Sequence, residues 1–83
     1  MSDSAKNQTA AKTYAEHRRD IAAVLDWFEM ALETHEEAAK AEPEKWTPVG
    51  DLAEVRRRLL ETLAFLSGHV VADIQKALEE LRM

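Results

Sequence analysis

Residues 51–81 read DLAEVRRRLLETLAFLSGHVVADIQKALEEL, and the path of this stretch decides the fold. Its apolar residues stand at Leu52, Val55, Leu59, Leu63, Leu66, Val70, Ile74, Ala77 and Leu81. The steps run three, four, four and then repeat, which is the eleven-residue period of a nearly straight helical seam. A second apolar stripe, Leu60, Ala64, Val71 and Leu78, lies about 100° further round the same cylinder. The one interruption is Ser67-Gly68. Glycine inside a helix costs about 1 kcal/mol against alanine, and Ser-Gly pairs are common kink sites. Two readings follow. Either one helix spans about 51–81 with a kink at Gly68, or the chain breaks there and a third helix runs over residues 69–82. The seam crosses Gly68 without losing phase, and that continuity favours the single long helix.

Upstream, a heptad-like seam runs Tyr14, Arg18, Ile21, Leu25, Phe28, Leu32, His35, Ala39, in alternating steps of four and three. It predicts a first helix over about 9–41, with Val24 and Ala31 widening its apolar face. Trp27 falls beside this stripe and Met30 nearly opposite its centre. Pro43 pushes the residue before it out of helical geometry and so ends the helix. The connector 41–50, AEPEKWTPVG, then leads to the second helix, with Thr47 or Asp51 as alternative N-caps. Trp46 is expected to fold back over the end of the core. Residues 1–8 are small and polar and read as a flexible lead-in, and 9–83 as one helical domain.

The expected architecture is therefore all-α. It is an antiparallel hairpin of helices about 9–41 and 51–81, dimerising into a four-helix bundle that buries the surplus stripe. A three-helix bundle, with the break at Gly68 taken, is the alternative. The chain has 83 residues, so its core is small and a partner would complete it. The dimer interface predicted from this surplus comprises Trp27, Leu60, Ala64, Val71 and Leu78.

Composition narrows the function. There is no cysteine, hence neither disulfide nor thiolate metal site. No stretch has the apolar length of a membrane span or a signal-peptide core, so a cytoplasmic protein away from the membrane is expected. A formal charge of −5 disfavours nonspecific nucleic-acid binding. No glycine-rich phosphate loop is present, and no nucleophile has a base and an orienting group at hand. No enzyme, cofactor or small-molecule ligand is expected.

Three side-chain groups remain. Asp26, Glu29, Glu33, Glu36 and Glu37 form an acidic stripe on the first helix, either a solvated face or a surface that selects a basic partner. Arg18, Arg19, Arg56, Arg57 and Arg58 are the candidate phosphate contacts. Consecutive helical positions point about 100° apart, so the 56–58 run shares no single face. Folding at Trp46 would set these arginines beside Glu36 and Glu37. A metal site is disfavoured: His17 and His35 lie about 27 Å apart along one helix, and no histidine has glutamate three residues before it. Only His69 and Asp73, with Asp20 as a third ligand, have workable spacing. The resulting expectation is a small non-enzymatic protein-interaction module: an adaptor, inhibitor or regulatory subunit, including an inhibitor encoded by a mobile element or virus. Its partner would be a second copy or another protein. A nucleic-acid-binding regulator using the arginines is the alternative.

Overall fold

A computed structural model of the chain describes residues 9–82 with their side chains, and the lead-in expected over 1–8 lies outside the described residues. Three helices are described: α1 over Ser2–Ala41, α2 over Thr47–Ser67 and α3 over Val71–Leu81. The chain divides into two compact units, Met1–Glu42 with α1 and Pro43–Met83 with α2 and α3.

Neither glycine nor proline interrupts α1, whose 40 residues include many alanines and other strong helix formers. Its last turn carries Lys40, which suits the negative end of the helix dipole and reaches Glu36 at 3.1 Å. The Glu42 amide donates to the Ala39 carbonyl at 3.2 Å as the helix closes ahead of Pro43.

The second helix begins a turn earlier than a start at Asp51. Trp46 is the N-cap, in αR geometry and without a side-chain hydrogen bond, and Pro48 occupies the first turn, where its missing N–H costs nothing. The Gly50 amide closes that turn on the Trp46 carbonyl at 3.0 Å. Trp46 does not fold over a core. It is 79% exposed.

The decisive correction comes at Gly68. Residues 51–81 are not one helix: Gly68 adopts φ 79°, ψ 2°, and its amide donates to the Ala64 carbonyl at 3.0 Å. An L-residue in this left-handed region loses about 1–2 kcal/mol, whereas glycine enters it freely, so this position ends the helix. His69 N–H then donates to Ser67 Oγ at 3.3 Å, and Val70 turns extended at φ −86°, ψ 151°. Its carbonyl receives the Asp73 and Ile74 amides at 3.1 and 3.3 Å, which starts α3. Asp73 in that first turn suits the positive end of the new helix. The two-helix hairpin, and with it the four-helix bundle made from two such hairpins, is overturned. The number of helices is that of the three-helix alternative.

Within the second unit α2 and α3 pack on each other. Leu60, 6% exposed, is the one buried side chain among the described residues. Ala64, Val71, Ile74 and Leu78 are half-buried. The break explains this pattern, since bending at Gly68 lets the 60–78 stripe serve as the unit's own interior.

Candidate interaction surface

Leu60 faces inward, and the residues about 60–120° round α2 from it do not. Leu52, Leu59 and Leu63 are all exposed, and they fall within about 40° of one another on the helix. Leu66 extends the same stripe at 80% exposure, and Phe65 next to it is 89% exposed. Val70, just past the Gly68 turn, is also exposed. A single α2 therefore carries two apolar faces, one closed against α3 and one in water. Phe65 belongs to neither of the stripes that the sequence periodicity picks out. Its only sequence signal is a large aromatic one turn before a helix-ending glycine.

On α1, Trp27 is 66% exposed, and Tyr14, Ile21, Val24, Leu25 and Met30 are exposed as well. Phe28 is half-buried. Asp26, Glu29, Glu33, Glu36 and Glu37 are all exposed along the same helix. Of the five residues expected at an interface, Trp27 is thus exposed on α1. Leu60, Ala64, Val71 and Leu78 are buried or half-buried in the α2–α3 unit.

The arginines have local partners. Arg57 places Nη2 at 2.6 Å and Nε at 3.2 Å from the Glu54 carboxylate, and Nη1 at 2.8 Å from Glu61. Arg58 Nε reaches the same Glu54 oxygen at 2.9 Å. These pairs span three or four residues of one helix, the spacing at which helical side chains meet. Hydrogen bonds from Arg57 and then Arg58 hold the Glu54 carboxyl down to about 2, and Arg57 is pushed up in turn, chiefly by Glu54 and then by Glu61. Arg57 and Arg58 thus find carboxylates within α2 itself. Arg18, Arg19 and Arg56 are exposed, and Arg19 Nε donates to the Ala15 carbonyl of its own helix at 3.4 Å.

His69 and Asp73 line one concavity with Ile74 and Ala77. Among the described residues no three of His, Asp or Glu come together as a metal-binding group. Among the same residues no helix is long and apolar enough to cross a membrane. The chain matches no known family model, no characterised protein and no solved structure.

Proposed function

We propose that this chain is a non-enzymatic protein-interaction module that engages another protein, or a second copy of itself, through apolar helix faces. Adaptor, inhibitor and regulatory subunit are the roles such a module would fill. The observation that carries the reading is the outer face of α2, where Leu52, Leu59, Leu63 and Leu66 stay exposed on a helix whose inner face already buries Leu60. Burying each of these side chains would gain about 1.5–3 kcal/mol, and contiguous apolar surface of this kind marks contact sites more often than single stray leucines do. Trp27 adds an aromatic anchor on α1, the residue type most enriched among binding hot spots. The acidic stripe Asp26–Glu37 would set partner choice and association rate rather than bulk affinity.

The test compares affinity capture by the wild-type chain with capture by Leu59→Glu/Leu63→Glu, followed by direct titration of the purified partner. Both substitutions are at exposed positions, so the fold should survive them. Loss of the partner supports the reading, and a partner bound equally by both chains overturns it. Reversing Glu29 and Glu33 to lysine should slow association and reduce its salt dependence. The nucleic-acid alternative draws little from Arg57 and Arg58, which Glu54 and Glu61 already engage. RNA or DNA binding with a steep salt dependence would reinstate it.

A further inference from the structure

The α2–α3 corner combines a weak clasp with a free pivot. Among the described residues α3 contributes no buried side chain, and Leu60 of α2 is the only one in the unit. An eleven-residue helix is too short to persist without its packing. The linker is three residues, Gly68, His69 and Val70, and Gly68 holds the only positive φ among the described residues. No atom within 4 Å would meet a Cβ there, so nothing crowds the Gly68 position. The apolar phase is also kept across the corner, so Val71 and Leu78 stay aligned with Leu60 and Ala64 when it opens. Meanwhile the closed corner leaves Phe65, Leu66 and Val70 in water, all of them close to the pivot.

We infer that the corner opens at Gly68 and that two copies of this chain exchange α3, each α3 packing on the other copy's Leu60 face. Exchange reuses the contacts of the closed unit, as domain swapping does when a short linker joins two packed elements. Its surplus comes from the linkers themselves. They run past each other in the exchanged pair and bring two sets of Phe65, Leu66 and Val70 together. This self-association closes on the inner face of α2 and shares Leu66 with the outer-face reading above, while Leu59 and Leu63 belong to that reading alone.

Mixing two damaged chains tests it. Leu60→Asp spoils one chain's α2 face and Leu78→Asp spoils the other's α3 face, so neither variant can form a good α2–α3 contact alone. Exchange predicts that an equimolar mixture forms a heterodimer with one intact contact, seen by native mass spectrometry together with regained helical signal. Should both variants be too unfolded to pair, Gly68→Ala in the otherwise native chain decides. It penalises the closed turn and should tighten the dimer about tenfold in sedimentation equilibrium. A chain that is monomeric with either residue at position 68 overturns the inference. So does a dimer that ignores Gly68→Ala and is broken instead by Leu59→Glu/Leu63→Glu, an outcome that would leave the outer-face reading standing.

Discussion

The unit of α1 and the unit of α2 and α3 draw on similar residues, leucine, alanine, glutamate and arginine, and use them differently. All four glycines and prolines of the chain, Pro43, Pro48, Gly50 and Gly68, lie in the second unit. Without a breaker, α1 runs uninterrupted to Ala41 and buries none of its described side chains. The second unit has a shorter stretch of helix, but it turns at Gly68, packs α3 on α2 and so obtains Leu60 as a core. Apolar residues on a helix become an interior only when the chain supplies something to face them. In this protein the placement of breakers, more than the number of leucines, separates a rod from a folded corner.

Four measurements can break or sharpen that contrast. The largest effect is expected from Leu60→Ala, which removes the only buried side chain among the described residues and should cost about 3 kcal/mol. Amide exchange across residues 47–81 would then lose its protection. Unchanged protection would mean that the corner is held by something other than Leu60. Gly68→Ala comes next, at about 1 kcal/mol for forcing an L-residue into the left-handed turn, read as a lower urea midpoint for the second unit. On α1, Leu25→Ala removes an exposed side chain and should shift stability by no more than about 0.5 kcal/mol. A loss of 2 kcal/mol or more would show that α1 has an interior after all.

The smallest effect is electrostatic. Glu54 is held at about 2 by Arg57 and Arg58, against an ordinary value of 4.5. Its folded value lies below its unfolded one, so the pairing stabilises α2 above about pH 4.5 and is lost as pH falls from there through about 2. The group is exposed, and salt will screen the pairing. Carboxyl NMR titration should place the Glu54 midpoint near 2 and return it towards 4.5 in Arg57→Ala. A midpoint that stays low in that variant would assign the shift to Arg58 alone.

Much of this arrangement was legible before any coordinates. Helical periodicity marked 9–41 and most of 51–81 as helical, and Pro43 marked the end of α1 to within a residue or two. The break at Gly68 is not legible in the periodicity, because a continuous apolar phase says which residues share a face if the helix continues and not whether it continues. That depends on one residue's access to the left-handed region, and Gly68, with His69 and then two β-branched valines after it, is the stop signal. The pairing of Arg57 rests on helical spacing alone. Matching Arg56–Arg58 with Glu36 and Glu37 assumed a hairpin, while Glu54 and Glu61 stood three before and four after Arg57, where a helix brings side chains together whatever the fold. The stripe of leucines on α2 was visible, but which of its faces would be wet depended on the bend.

Val70 leaves room to tune the corner's durability from outside. It holds the N-cap of α3 in the extended geometry that a capping residue adopts, yet its side chain offers the first-turn amides no acceptor. Val70→Thr exchanges one methyl for a hydroxyl at this exposed position and should raise the thermal midpoint of the second unit, by a cap worth about 1 kcal/mol. An unchanged midpoint would mean that solvent already serves those amides as well as a side chain could. Such a substitution would act as a thermostat for the bend, setting how long it stays shut without altering what it encloses.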